Sequence, residues 1–228
     1  MPAAMLRSGA ARTPAGVTSD RMEAAAELAD YRRRVILLYL AEPTAGEPGV
    51  VAFRRRRDEL FRDHPQSALT DSQRADFAGL SYFDYDPEAV IRTRLEPLPG
   101  GDPLEIDTGG EDGVIRYSRV GLLPGPHGAL TLFWMEGYGG GLFLPFRDPT
   151  AGAETYGAGR YLSDTAKGTL GRGLELDPST GEAVLDFNYA YNPSCAYDAR
   201  WACPLAPPEN RLEQPVRAGE RSFAGATP

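Results

Sequence analysis

Residues 114–146 read VIRYSRVGLLPGPHGALTLFWMEGYGGGLFLPF. Two apolar-rich runs, 114–123 and 129–135, are separated by Pro124-Gly125-Pro126-His127-Gly128, and Gly137-Tyr138-Gly139-Gly140-Gly141 leads into a third run at 141–146. Each run has strand length, and each break carries the residues that turns require. The pattern continues on both sides: residues 104–108 alternate apolar and polar, and 155–163, 173–176 and 183–191 extend the series, with Pro178-Ser179-Thr180-Gly181 fitting a hairpin between the last two. Short strands punctuated this way predict an antiparallel, partly closed β-barrel or sandwich.

Upstream the texture is helical. Residues 20–41 lack Gly and Pro and carry Leu28, Tyr31, Val35 and Leu38 at helical spacing. A second helix is predicted over 50–63, with Phe53, Leu60 and Phe61 on one face, closed by His64-Pro65 because the residue before proline avoids the α region. Thr70-Asp71-Ser72-Gln73 is a capping-box pattern opening a short third helix that Gly79 would end. Beyond Tyr191 recurring prolines predict an irregular wrap. The fold class read from the sequence is therefore α+β: N-terminal helices packed on the β core, sealed by a proline-rich C-terminal wrap. The organisation expected is a disordered leader (1–17), a helix and linker (18–49), one domain (50–220; helices 50–79, β-rich 80–220) and a tail (221–228).

Composition limits function. The 228 residues carry 24 Lys+Arg against 32 Asp+Glu, a formal charge of −8, which disfavours a nucleic-acid partner. Lys167 is the only lysine, so Arg32-Arg33-Arg34 and Arg54 to Arg57 are discounted as polyanion sites and read as solvated helix faces. The longest apolar run, 35–41, is far short of the ~20 residues that span a bilayer. No membrane partner and a cytoplasmic location are expected. The apolar stripe of helix 20–41 suits packing on its own domain first and a homodimer contact second.

Residues 141–220 are the unusual part. Phe146-Arg147-Asp148-Pro149-Thr150-Ala151-Gly152, Thr155-Tyr156-Gly157-Ala158-Gly159-Arg160-Tyr161-Leu162, the segment LDFNYAYNPSCAY at 185–197 and CPLAPPENRL at 203–212 are long, specific motifs. On them, and on Phe77-Ala78-Gly79-Leu80-Ser81-Tyr82-Phe83, the chain over roughly 50–220 resembles the bacterial domain-of-unknown-function family 1684. That resemblance implies boundaries and a site region, with no reaction attached.

The same residues can be read chemically. With 155–161 as a strand, Tyr156, Ala158 and Arg160 share one face, and Gly157, Gly159 and Tyr161 the other. Arg160 offers a planar fork of donors for a carboxylate or phosphate, and equally for an internal ion pair with Asp148, Asp164 or Asp186. Tyr191, Asn188 and Asn192 mix polar tips with apolar bodies, which suits a small-molecule pocket or a buried network holding the tail. The candidate site is thus Tyr156 and Asp148 as catalytic groups, with Arg160, Tyr161, Asn188, Tyr191 and Asn192 binding the ligand. Cys195 and Cys203 lack zinc-knuckle spacing and read as buried structural thiols, so no metal is expected, and no motif names a cofactor. The leading function is a small-molecule-binding β-core domain for an anionic or carbonyl-bearing metabolite, with catalysis left open. The alternative is a non-catalytic interaction or structural module whose C-terminal block only fastens the tail to the sheet.

Overall fold

The computed structural model describes residues 19–41, 45–98, 102–108, 113–169 and 171–225. The leader 1–17 lies outside them. Three helices come first: α1 (Ser19–Leu40), α2 (Glu47–Asp63) and α3 (Asp71–Ala75). His64 caps α2 in an extended conformation before Pro65, as predicted, and its N–H reaches the Leu60 carbonyl. The capping box of α3 is formed, with Thr70 Oγ1 accepting from the Gln73 N–H and the Gln73 side chain accepting from the Thr70 N–H. This helix stops at Ala75, four residues before Gly79.

Eight strands follow: β1 (Val90–Arg94), β2 (Leu104–Asp107), β3 (Val114–Leu123), β4 (Leu130–Met135), β5 (Gly141–Phe146), β6 (Arg160–Asp164), β7 (Leu174–Leu176) and β8 (Glu182–Asp186). They form two antiparallel sheets, β2-β3-β4-β5-β6 and β1-β8-β7. The larger sheet curls into a half-barrel, and bulges interrupt its register between Arg119 and Gly121 and between Leu144 and Pro145. This is an α+β fold of N-terminal helices on antiparallel sheets.

The half-barrel is apolar on both faces, and the two-residue period of a strand explains how. Leu130, Leu132, Leu144, Phe146 and Leu162 point into the main core, shared with Leu174, Ala183 and Leu185 of the smaller sheet and with Leu212, Val216 and Ala218 of the tail. Phe133, Phe143 and Tyr161 point the other way, with Tyr117, and pack against Tyr191. Helices α1 and α2 cover that region through Leu38, Tyr39, Val50 and Phe53, which meet Tyr189.

Two predicted strands are shorter than expected. Residues 155–159 form a turn, so the assignment of Tyr156, Ala158 and Arg160 to one strand face does not hold. The cause is backbone: Gly159 has φ +102, and a Cβ there would stand 2.5 Å from the Phe146 carbonyl oxygen. At the other site β8 ends at Asp186, whose side chain accepts the Asn188 N–H and winds Phe187–Tyr189 into a 3-10 turn. Strand β1 was not anticipated. The arginine run of α2 also differs from its reading as a solvated face, because Arg57 is buried and Arg54 half-buried. Helical spacing carries both onto the stripe of Phe53 and Phe61.

The tail is irregular but ordered. Arg147 N–H donates to the Asn210 carbonyl and Leu212 N–H to the Arg147 carbonyl; further on, Glu220 N–H reaches Ala190 O and Phe83 N–H reaches Gly219 O. Asn210, fully buried, straps two strands together. Its Oδ1 accepts from Thr131 N–H, and its Nδ2 donates to the carbonyls of Thr131 and Pro145.

Candidate functional site

The seven candidate residues fall into separate environments. Arg160 opens β6 and is 1% exposed. Its Nη2 donates to Asp148 Oδ2 at 2.9 Å and to the Val216 carbonyl at 2.8 Å, while Nη1 reaches the carbonyls of Ala218 and Glu220. Asp148 Oδ1 accepts the N–H groups of Thr150 and Val216. The planar fork binds tail backbone and an internal carboxylate, and a ligand could reach it only by displacing three tail carbonyls. Asp148 spends its oxygens on the same clasp.

Asn188 is likewise committed. Its Oδ1 accepts from Asp86 N–H and its Nδ2 donates to the Asp86 carbonyl and to Asp186, tying the 3-10 turn to the loop before β1. Tyr156 lies elsewhere, half-buried, with its hydroxyl 3.6 Å from Cys195 Sγ. Burial, followed by that thiol contact, raises its pKa.

Tyr161, Tyr191 and Asn192 come together. Tyr161 and Tyr191 form an antiparallel bridge, each N–H bonded to the other's carbonyl, with their rings edge to face at 5.8 Å. Asn192 follows directly; its N–H donates to Glu220 and its Nδ2 to the Arg221 carbonyl, while its buried Oδ1 has no hydrogen-bond partner. All three line a cavity of about 100 Å³ between α1, α2 and the end of β6. Tyr31, Val35, Leu38, Arg57, Phe61 and Tyr197 form much of the remaining wall.

The cavity contains chemistry that sequence reasoning missed. Asp164, the last residue of β6, and Lys167 both line it, with Lys167 Nζ 3.8 Å from Asp164 Oδ2. Asp164 also accepts the Lys167 N–H, so it caps the 3-10 turn Thr165–Lys167. Burial raises its carboxyl pKa, and the Lys167 charge opposes that rise. Lys167 keeps its side chain 54% exposed. The Tyr191 hydroxyl lies 2.9 Å from Thr169 Oγ1, where either oxygen can donate. Tyr161 gives its hydroxyl to the Pro204 carbonyl. Burial drives both phenols well above their ordinary pKa, so both are neutral donors at neutral pH.

Arg57 crosses the wall of the same cavity. It pairs with Glu220 at 2.9 Å and donates to the hydroxyls of Tyr82 and Tyr197. Glu220 in turn accepts from the Tyr197 hydroxyl. The pair is internally neutral and ties α2 to the tail. Among the described residues, no cluster of His, Cys, Asp and Glu is arranged to hold a metal ion, and no helix is long and apolar enough to cross a membrane.

An α+β domain with a half-barrel, a clasped tail and a small aromatic cavity is the class these features define. The model of the family described as "Protein of unknown function (DUF1684)" matches residues 75–221, and the chain belongs to that family. A solution NMR structure of an uncharacterised protein from Haloarcula marismortui is similar, at 34% sequence identity and a TM-score of 0.53, covering 77% of this chain and 93% of that one. No curated protein matches the chain.

Proposed function

We propose that the protein binds a small anionic or carbonyl-bearing metabolite in the cavity between α1, α2 and β6. The observation that carries this reading is the convergence there of a raised Asp164 carboxyl, Lys167 and the Tyr161–Tyr191 bridge on one aromatic-walled space. Lys167 takes the anchoring role that the sequence suggested for Arg160, since its ammonium is half-exposed and pairs with Asp164 at 3.8 Å. Tyr191 donates or accepts, Asn192 Oδ1 accepts, and Asp164, its pKa raised by burial, supplies a carboxyl for proton transfer. A volume of about 100 Å³ is well below the ~300–1,000 Å³ of drug-sized sites, which favours a compact metabolite or one functional head of a larger one.

Thermal denaturation against small carboxylates, phosphates, aldehydes and ketones tests this reading. A true ligand at about 100 times its dissociation constant adds about 2.7 kcal/mol to stability. The shift should vanish in folded Lys167→Met and shrink in Tyr191→Phe. Equal shifts in wild type and both variants would move the ligand elsewhere.

A second reading is favoured by a different observation, the three tail carbonyls on Arg160. In it the motif block serves only to fasten the tail, and the domain is a structural or interaction module. The absence of any stabilising compound, together with collapse of Arg160→Ala, would select it.

A further inference from the structure

Cys195 and Cys203 are eight positions apart, and the loop between them is anchored to the segment after α2: Trp201 Nε1 donates to the Ala68 carbonyl and Arg200 to the Leu69 carbonyl. Both cysteines are free. They meet closely, with the Cys195 N–H directed at Cys203 Sγ at 3.4 Å. Tyr156 adds its hydroxyl to Cys195 Sγ at 3.6 Å. Cys203 is 6% exposed and Cys195 is half-buried, so the pair is open to solution on the Cys195 side.

The surroundings of the two sulfurs differ. The neighbouring Cys195 thiol, the N–H groups of Cys195 and Ser194 and the Lys167 ammonium outweigh burial and lower the Cys203 pKa below that of an ordinary thiol. The neighbouring Cys203 and burial raise that of Cys195. Inert packing cysteines in apolar surroundings have no such donors, whereas reactive ones sit among N–H groups and cations.

We propose that Cys195 and Cys203 are a redox-active dithiol that exchanges with small-molecule disulfides, Cys195, on the open side, attacking and the buried Cys203 resolving. Cys195 passes its proton to the Cys203 thiolate and attacks one sulfur of a disulfide RSSR, forming Cys195–S–S–R and releasing RS⁻. Cys203 gives that proton to RS⁻, forming RSH, and its thiolate attacks Cys195 Sγ. The Cys195–Cys203 bond forms as the second RS⁻ leaves, taking up from solvent the proton that Cys203 lost on ionising. The protein dithiol loses two electrons and RSSR gains them. Because the anchored loop already holds Cys203 Sγ against Cys195, the resolving step is intramolecular and outruns attack by a second protein molecule. The inference does not rest on the cavity reading, although Lys167 and Tyr161, the latter bonded to the carbonyl of Pro204 next to Cys203, border both.

The test incubates the full chain with excess oxidised glutathione under native conditions and reads free thiols and intact mass. Wild type should lose both thiols and two hydrogen atoms of mass, retain no glutathione, and recover on adding dithiothreitol. Cys203→Ser should accumulate glutathione on Cys195, and Cys195→Ser, left with the buried thiol alone, should react about tenfold more slowly. Two thiols left free in the wild type, or a lasting glutathione adduct on it, would overturn the proposal, and this result does not depend on either variant folding. Equally fast adduct formation by folded Cys195→Ser would overturn the assignment of the attacking sulfur.

Discussion

The Arg57 guanidinium lies 2.9 Å from the Glu220 carboxylate, and both side chains are almost wholly buried. Residues separated by most of the described chain thus form one ion pair under the tyrosines Tyr82 and Tyr197. Desolvation makes such a pair a weak source of net stability, but removing one partner leaves a dry, uncompensated charge. Glu220→Ala and Arg57→Ala should each cost about 3–5 kcal/mol in urea unfolding. Arg57→Ala combined with Glu220→Ala should cost much less than the two single losses added together. Additive losses in that double-mutant cycle would deny the coupling.

Arg160 makes a similar point with backbone partners. Arg160→Ala strands the Asp148 carboxylate and the carbonyls of Val216, Ala218 and Glu220, at a cost of about 3–5 kcal/mol. Arg160→Lys should rescue little, because one ammonium cannot reproduce a fork aimed at four acceptors. Limited proteolysis should then cut within residues 212–222 well before it cuts the sheets; unchanged protection there would count against the clasp.

Asn210→Ala removes a side chain that satisfies Thr131 N–H and the carbonyls of Thr131 and Pro145 at once. Dry orphan groups cost about 1–3 kcal/mol each, so a loss above about 2 kcal/mol is expected by chemical denaturation. Asn210→Asp should be as damaging, since a carboxylate cannot donate to either carbonyl.

Asp164 sets a pH dependence. Its folded pKa is raised above the ordinary 3.8 by burial, so the folded state holds the proton more tightly than the unfolded chain does. That contribution favours folding at low pH and is lost as pH rises from the ordinary carboxyl range through the folded value. Asp164→Asn keeps an oxygen to cap Thr165–Lys167 and removes the titration. Its melting temperature should therefore gain on wild type as pH rises from about 4 to 7. A constant difference across that range would show that Asp164 does not titrate as described.

Much of this was legible from the sequence. The Pro-Gly breaks at 124–128 and the glycines at 137–141 separate β3, β4 and β5 where turn chemistry says they should. The two shortened strands failed for local reasons: alternation at 155–163 masks a left-handed glycine, and alternation at 183–191 masks the Asp186 cap on a 3-10 turn. Strand β1, with Arg92, Thr93 and Arg94, lacks an apolar signature and exists because β8 offers it a ladder. Of the candidate residues, Tyr161, Tyr191 and Asn192 share a space, whereas Arg160 and Asp148 are occupied by a tail that spacing could not position. Asp164 was readable only as a possible partner of Arg160, and Lys167 and Arg57 not as site residues, because the cavity they line is assembled from segments about 130 residues apart and exists only once α1 and α2 have docked.

The tail clasp also bears on synthesis. Arg57 and Arg160 emerge from the ribosome long before residues 216–220, whose Glu220 carboxylate pairs with Arg57 and whose carbonyls complete the shell that Asp148 begins around Arg160. Until residue 220 has cleared the exit tunnel, a nascent chain carries two guanidiniums whose destined sites are unfinished. The helices and half-barrel can be sampled early, yet they cannot lock, so native structure should arrive late and in one step rather than accumulate from the N-terminus.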